Sequence, residues 1–367
     1  MIDHEKRNTN EYTRVNTKTG KWSKTVKWTF VLTYVAWVGV AATPGVAQAA
    51  TTIDQIKNRG YVECGVTDRK PGFSDQNMDG RWSGFYVDFC RAAAAAVLGN
   101  GDAVRIENYW LSALKGGEVD VLHAGSTWTL GRDTVSGFDF PGVYFIDGQG
   151  FIAHSQLGVK TLKDAMALPN LKVCAIGPSS TAITNINDFI ATNSLSWEVV
   201  TTKTMDGMWR AFFGLRCDLA IHDRASLVAV YIGRLKSSKD FIVLPEVISK
   251  EPLAPTVRDD DPQWRDLVQW ITFVTIAAEE RGITRANVDT MVATSTSPEI
   301  RRLLGVDAGL GKGFGLDDAW AYRVIKEVGN YAEIFARNLG AQTKINMARG
   351  LNRLARDGGV MYAPPIL

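Results

Sequence analysis

Short hydrophobic runs alternate with amphipathic stretches along much of the chain. Runs at 61–66, 104–106 and 119–122 have the length and composition of β-strands, and helical patterns occupy 87–98 and 111–115 between them. A succession of strand, helix and strand at this spacing is typical of an α/β fold with a mainly parallel sheet. The pattern therefore predicts an α/β architecture.

The same succession begins again further along. Strand-like runs lie at 171–176, 198–200 and 217–221, and helical patterns lie at 181–192 and 205–213. This restart predicts a second lobe that is built like the first.

The C-terminal part of the chain has a different pattern. Apolar residues follow helical spacing over long stretches that begin near Trp264 and near Trp320. We expect the aromatic side chains of these rows, Tyr331 among them, to belong to the core.

The N-terminus carries the pattern of a secretory signal peptide. Residues 1–27 are polar and basic, residues 28–42 form an apolar run without a charge, and an Ala-x-Ala motif ends at Ala49. This order predicts a signal peptide over residues 1–49, cleavage after Ala49 and export to the periplasm. The alternative is an uncleaved membrane anchor, but the apolar run is shorter than the ~20 residues that a membrane span needs.

Composition limits the class of function. The chain has 367 residues, of which 46% are hydrophobic and 22% charged, and a formal net charge of +2. These values are ordinary for a globular protein. A nucleic-acid partner is not expected, because binding to phosphate groups needs a strongly basic surface.

Four cysteines would meet an oxidising compartment after export, where disulfides persist. Cys64 and Cys90 lie on the first strand and the first helix of the first lobe, and Cys174 and Cys217 lie on strands of the second. Pairing 64 with 90 and 174 with 217 keeps each bridge inside one lobe. The two other connectivities, and four free thiols, stay open at this point.

Motifs for metal binding and catalysis are lacking in the sequence. None of the 4 histidines has metal-ligand spacing to another His or Cys, and no G-x-S-x-G elbow occurs. Lys312 lies among glycines but lacks the following Ser or Thr of a phosphate-binding loop. We expect no cofactor, no metal ion and no catalytic residue.

A polar segment follows the predicted strand that ends at Leu122. In open parallel sheets, ligands bind beyond the carboxyl ends of the strands. The hydroxyl groups of Ser126, Thr127 and Thr129 and the guanidinium of Arg132 form a set that suits a small carboxylate. The alternative is a helix cap followed by a surface arginine.

The second lobe offers complementary groups. Ser179 and Ser180 precede a predicted helix, whose N-terminus favours an anion. Asp223 closes a predicted strand, where its carboxylate can meet an ammonium group. Together with Arg132, these residues predict an α-amino-acid site that is divided between two lobes.

Several motifs carry a specific resemblance that runs from about residue 53 to the C-terminus. They are CGV with PGFS (64–74), GEVDVL (117–122), TWTLxRDT (127–134), DGQGF (147–151), ISKEPL (248–253), VGNY (328–331), RGLN (349–352) and YAPP (362–365). In these motifs the chain resembles the general amino-acid-binding proteins of polar-amino-acid ABC importers. The resemblance implies a two-lobed, α/β type II periplasmic binding protein fold with hinge crossovers and a helical C-terminal extension.

The resemblance also implies an order of domains. Lobe 1 is expected over 50–152, lobe 2 over 153–246, the return to lobe 1 over 247–300, and the extension packed on lobe 1 over 301–367. Hinges are expected near 151–154 and near 245–250.

Site roles follow from the same resemblance. Thr127 and Arg132 would hold the ligand carboxylate, with the backbone near Gly125 and with Ser180, and Asp223 would hold the ammonium group. Lys70 occupies a position that usually carries an apolar or aromatic side chain facing the ligand. It is either a solvated loop lysine or a residue that favours an acidic or amide ligand.

The function expected from this reading is delivery of an L-amino acid to the permease subunits of an ABC importer, by a monomer without enzymatic activity. One alternative is an exported enzyme on the same scaffold, similar to cyclohexadienyl or arogenate dehydratases, because a fold does not fix a function. Another is a sensor that binds the ligand without a transporter.

Overall fold

The computed structural model describes residues 50–67, 70–178, 180–233, 235 and 238–367. The predicted signal peptide over 1–49 and Ser179 of the predicted site lie outside the described residues. The described residues belong to a single compact unit. Among their helices, none combines the length and the apolar character that crossing a membrane requires.

The helices have the following bounds. They are α1 Thr52–Arg59, α2 Phe85–Leu98, α3 Leu111–Lys115, α4 Leu130–Val135, α5 Leu162–Met166, α6 Thr181–Thr192, α7 Met205–Phe213, α8 Arg224–Gly233, α9 Pro262–Glu280, α10 Val288–Thr294, α11 Pro298–Leu303, α12 Trp320–Val328 and α13 Tyr331–Asn338.

The strands alternate with these helices. They are β1 Val62–Val66, β2 Asp75–Gln76, β3 Trp82–Ser83, β4 Val104–Asn108, β5 Val121–Thr127, β6 Phe138–Asp139, β7 Phe145–Asp147, β8 Gln149–His154, β9 Lys172–Ile176, β10 Glu198–Thr202, β11 Leu219–Asp223, β12 Phe241–Val243 and β13 Glu251–Arg258. The predicted α/β alternation and its restart are confirmed.

Two mixed sheets organise the chain. In the first, the strand order is β4-β1-β5-β13-β6, and β7 also pairs with β13. In the second, the order is β10-β9-β11-β8-β12. Each sheet has parallel strands on one side and antiparallel strands on the other. We call the elements around the first sheet lobe 1 and those around the second sheet lobe 2.

The core of lobe 1 is built around α2. Its alanine run at 92–96 is buried, and these small side chains let α9 and α12 pack closely against it. The predicted aromatic core positions are confirmed, since Trp264, Trp320 and Tyr331 are at most 5% exposed. Burying one such side chain contributes on the order of 2 kcal/mol to folding, so α12 and α13 are firmly attached to lobe 1.

The chain crosses between the sheets twice. The first crossover is Gly148, between β7 and β8, where a Cβ atom would lie 2.8 Å from the Ser249 carbonyl oxygen. The return runs from β12 to β13 and contains the predicted hinge at 245–250. The other predicted hinge, at 151–154, and the predicted boundary at 152 fall inside β8. There the strand is buried and paired on both sides, so the crossover itself lies earlier.

Both cysteine pairs form disulfides within one lobe. Cys64 of β1 bonds Cys90 of α2, and Cys174 of β9 bonds Cys217 just before β11. The described residues include no free cysteine. The predicted pairing is thus confirmed, and neither bridge ties one lobe to the other.

Candidate functional site

Five charged side chains meet where the lobes face each other. Lys70 lies in the loop after β1, Arg132 in α4, Asp147 at the end of β7, Asp223 at the end of β11 and Glu251 at the start of β13. The negative charges of Asp147 and Asp223 raise the pKa of Lys70, and those of Asp223 and Glu251 raise the pKa of Arg132. The cluster therefore lies at the carboxyl ends of strands from both sheets, as the sequence predicts.

The Lys70 loop closes against lobe 2. Gly233, the last residue of α8, approaches Pro71 so closely that a Cβ atom on it would lie 2.7 Å from the proline ring. Lys70 itself is half-buried. The lobes are therefore in contact beside the charge cluster.

Arg132 is held by its own helix and by the strand before it. Thr129 caps α4, and its hydroxyl oxygen accepts from the Arg132 backbone N–H at 3.3 Å. The Arg132 guanidinium donates to the Thr127 carbonyl oxygen at 2.9 Å. Burial lowers the pKa of Arg132, and the nearby Glu251 and Asp223 oppose this shift. Thr129 is thus a cap, as one alternative had it, but Arg132 is half-buried in the cluster rather than a surface arginine.

Glycine at position 125 allows β5 to approach α2. Gly125 has a φ of +68°, and a Cβ atom there would lie 2.2 Å from the Tyr86 hydroxyl oxygen. The next residue, Ser126, is half-buried and lies opposite Ala254 of β13 in the sheet. Any larger residue at position 125 would push β5 away from Tyr86 and move the polar segment that follows.

Lys70 is not a solvated loop lysine. Its ammonium nitrogen lies 3.3 Å from the Tyr86 hydroxyl oxygen and 4.5 Å from the centre of the Phe73 ring. Burial lowers the pKa of Lys70, whereas Asp223 and Asp147 raise it. The aromatic rings stabilise the cation from one side and the acids from the other.

Ser180 is the N-cap of α6. Its hydroxyl oxygen accepts from the Ala182 backbone N–H at 3.2 Å, so its own proton can still be donated to an anion. The following Thr181 contacts Glu251 and Gln149 instead. The N-terminus of α6 therefore brings a hydroxyl donor and a favourable helix dipole to the cluster.

Asp223 is buried at the end of β11, beside His222. The neighbouring His222 ring accepts from the Asp223 backbone N–H through Nδ1, at 2.7 Å. Burial lowers the pKa of His222, so the imidazole is neutral at neutral pH. His222 Nδ1 lies 3.9 Å from the Asp223 carboxylate, but the neutral ring adds no positive charge there, so the cations near Asp223 are Lys70 and Arg132.

Asp147 is a site residue that the sequence did not point to, although its motif was recognised. Its carboxylate accepts from the backbone N–H groups of Gly148 at 2.9 Å and Ala225 at 3.2 Å. Burial and the negative charge of Asp223 raise the pKa of Asp147 to about 7. Two acids therefore face one region from opposite lobes, and an added cation would stabilise both.

Glu251 is the second acid that the sequence did not assign. It is 1% exposed, and its carboxylate accepts from the hydroxyl of Thr127. A hydroxyl group has one proton to donate. Thr127 therefore presents only lone pairs to the remaining space, which suit an ammonium group and not a carboxylate.

A cluster with metal-ligand chemistry lies elsewhere, in the core of lobe 1. The sulfur atoms of Cys64 and Cys90 and the imidazole of His123 lie within 4.8 Å of one another. Both sulfurs are in a disulfide, so neither is a thiolate ligand. This cluster does not have the donor set of a metal site.

Comparison with known proteins places the chain in a family. It is 42% identical over 333 residues to the general L-amino acid-binding periplasmic protein AapJ of Rhizobium johnstonii, an alignment that covers 89% of this chain and 96% of AapJ. The chain belongs to the family of amino-acid ABC transporter-binding proteins. Another member, the putative amino-acid ABC transporter-binding protein YhdW of Escherichia coli K12, is 41% identical over 87% of this chain and 94% of its own length. No family model matches the chain.

Solved structures agree with this family of binding proteins. A periplasmic binding protein from Brucella ovis with glutathione bound superimposes with a TM-score of 0.81 at 39% identity, covering 87% of this chain and all of the other. The cysteine-binding protein from Campylobacter jejuni, at 19% identity and a TM-score of 0.52, covers 68% of this chain and 97% of its own and shares the fold. The predicted family, the type II fold and the expectation of a binding protein and not an enzyme are confirmed.

The raised pKa of Asp147 predicts a specific pH dependence of stability. In the folded chain Asp147 holds its proton up to about pH 7, whereas an unfolded aspartate loses it near pH 4. Its contribution to stability is therefore complete below about pH 4 and is lost as the pH rises through about 7. We expect Asp147→Asn to lose less thermal stability than the parent between about pH 5 and about pH 8.

Calorimetric Tm values of the ligand-free proteins test this expectation. Asp79→Asn is the matched control, because Asp79 is exposed in the turn between β2 and β3. It should follow the parent. Equal Tm changes in the parent and in Asp147→Asn would show that Asp147 does not hold a proton in the folded chain.

Proposed function

We propose that this family member binds the α-amino and α-carboxylate groups of a small ligand between its lobes and delivers it to the permease of an ABC importer. The observation that carries the proposal is the placement of Arg132 from lobe 1 and Asp223 from lobe 2 in one charge cluster. The names of AapJ and YhdW support amino acids as ligands. Glutathione, bound in the Brucella ovis structure, also carries a free α-ammonium and α-carboxylate on its glutamyl end.

The ligand carboxylate is assigned to Arg132. A guanidinium group takes a carboxylate through two parallel hydrogen bonds. Ser180 and the N-terminus of α6 complete this half of the site from lobe 2, and the backbone at Gly125 completes it from lobe 1. Arg132 is already fixed by Thr127, so little side-chain entropy is lost on binding.

The ligand ammonium group is assigned to Asp223 and Thr127. Asp223 supplies the acidic group, and the adjacent neutral His222 adds no positive charge that would repel the ammonium. Thr127 moves from the carboxylate half, where the resemblance suggested it, because its hydroxyl proton is given to Glu251. Asp147 lies near Asp223 and holds its proton up to about pH 7 in the ligand-free chain, and a bound ammonium would favour its ionised form.

The ligand side chain is expected to be acidic or to end in an amide. Lys70 places a half-buried cation beside the cluster, and burial makes a charge or hydrogen-bond partner for it favourable. The relative BztA of Rhodobacter capsulatus, 41% identical over 334 residues, is named a glutamate/glutamine/aspartate/asparagine-binding protein. That name supports the same preference here.

Closure of the lobes follows from the division of the charges. Neither lobe alone satisfies both ends of the zwitterion, so the ligand binds the closed form more tightly than the open form, and this difference drives closure. The lobes turn about the crossovers at Gly148 and at 245–250. A single closed chain then presents the faces of both lobes to the permease.

Single substitutions in the two halves of the site test the binding proposal. Removing one partner of a desolvated charge pair costs about 2–5 kcal/mol. We therefore expect Arg132→Ala and Asp223→Asn each to weaken the binding of L-glutamate or L-glutamine by about thirtyfold or more. Titration calorimetry on the parent and both variants measures this loss.

Matched controls come from exposed residues of the same types. Arg210→Ala in α7 and Asp188→Asn in α6 change exposed side chains and should bind like the parent. The proposal fails if Arg132→Ala and Asp223→Asn are folded and bind amino acids as tightly as the parent.

Export is the second part of the proposal. The basic N-terminal segment, the apolar run and the Ala-x-Ala motif support cleavage after Ala49. The name of AapJ as a periplasmic protein agrees with this location. Mass spectrometry of the exported chain should give Ala50 as the first residue. Recovery of the chain from membranes with Met1 still attached would contradict cleavage.

A further inference from the structure

Glu251 joins the two lobes beside the proposed ligand site. It is the first residue of β13, at the end of the return crossover, and it is 1% exposed. From lobe 1, Thr127 donates its hydroxyl proton to Oε2. From lobe 2, Thr181 donates to the same oxygen at 3.2 Å and Asn185 donates to Oε1 at 2.9 Å.

The hydrogen bonds of this carboxylate are complete. Ser249 donates to Oε1 at 2.6 Å, so each oxygen accepts from two side chains. An ionised carboxylate has about four lone-pair positions for such bonds. Burial raises the pKa of Glu251, and the hydrogen bonds from Ser249, Thr127 and Thr181 oppose this rise because they favour the ionised form. In that form Glu251 accepts from all four side chains.

A second buried side chain, on β8, also binds α6. Gln149, the first residue of β8, is 1% exposed. It donates to the Thr181 hydroxyl oxygen at 2.8 Å and accepts from Asn185 at 2.9 Å. Both crossovers therefore contribute one polar side chain to α6, and opening the lobes would take Thr181 and Asn185 away from Glu251.

The charged groups that face Glu251 are Arg132 and Asp223. Arg132 attracts it from α4, and Asp223 repels it from the end of β11. A ligand ammonium between Asp223 and Thr127 would remove that repulsion. The arrangement thus favours an ionised Glu251 when the site is filled.

We propose that Glu251 is a positioning residue with two linked effects on ligand binding. It fixes Thr127 as a hydrogen-bond acceptor for the ligand ammonium, and it holds α6 of lobe 2 against β13 when the lobes close. This inference rests on the proposed function, because it concerns how the same site recognises an amino acid.

A double-mutant cycle between positions 251 and 127 tests the first effect. In Glu251→Gln an amide NH₂ group replaces one carboxylate oxygen. If that group faces Thr127, the Thr127 hydroxyl loses its acceptor and its proton turns toward the ligand. We expect Glu251→Gln to weaken the binding of L-glutamate by about tenfold. In a Thr127→Val background only the effect through α6 remains, so the same change should weaken binding by a smaller factor than in the parent.

A ligand analogue without the amino group separates the effect of Glu251 on ammonium recognition from a general loss of binding. Glutarate has the two carboxylates of L-glutamate and no ammonium. Glu251→Gln should reduce the ratio of L-glutamate to glutarate affinity. Asn185→Ala removes the hydrogen bonds from α6 to Glu251 and Gln149 and leaves Thr127 unchanged, so it should weaken both compounds by the same factor.

The outcomes are distinct. If the parent does not bind L-glutamate or L-glutamine, the proposed function and this inference fail together. If the parent binds but Glu251→Gln binds equally well, or loses the same factor with Thr127→Val present, only the inference is overturned. Should Glu251→Gln not fold, Glu251→Asp, which draws the carboxylate back by one methylene, carries the same expectation.

Discussion

Desolvation of charge at the junction of two sheets is the constraint on which the structure depends. Lys70, Arg132, Asp147, Asp223 and Glu251 are partly or fully buried, and isolated buried charges are costly. Backbone N–H groups, hydroxyls and aromatic rings compensate part of that cost. A zwitterion adds a further charged partner at each end of the site, so binding and closure gain from the same interaction.

The fold holds these groups rigidly within each lobe and loosely between the lobes. Each disulfide lies inside one lobe, and the C-terminal helices α12 and α13 pack on α2 and α9 of lobe 1. The connections between the sheets are Gly148 and the segment before β13. The free energy of ligand binding can therefore bring the lobes together without distorting either half of the site.

Much of this could be predicted from the sequence. Periodicity gave α6 and α7 their observed bounds, and the positions of the cysteines favoured the observed pairing. Arg132 and Asp223 were recognisable because polar residues that end buried strands have a chemical reason to be there. Each of these predictions depends on residues that are close in sequence, or on the rule that parallel strands end at the same edge of a sheet.

Asp147 and Glu251 were not predicted as site residues, for a physical reason. Both lie on strands of the first sheet next to a crossover, and their partners Ala225 and Asn185 come from other parts of the chain. Which side chains meet there depends on the antiparallel register of β7 and β13, and a single sequence does not contain that register. Lys70 was ambiguous for the same reason, because only packing against Phe73 and Tyr86 decides between solvent and the cluster.

The central claim is that the cluster recognises both ends of an α-amino acid, and chemical blocking of each end tests it most directly. Calorimetric titration of the mature chain with L-glutamine, its N-acetyl derivative and its α-carboxamide compares the two halves in one experiment. The account predicts that each derivative binds at least about thirtyfold more weakly than L-glutamine, because each lacks one of the two ligand charges that the site binds. Binding of the N-acetyl derivative as tightly as the free amino acid would contradict it.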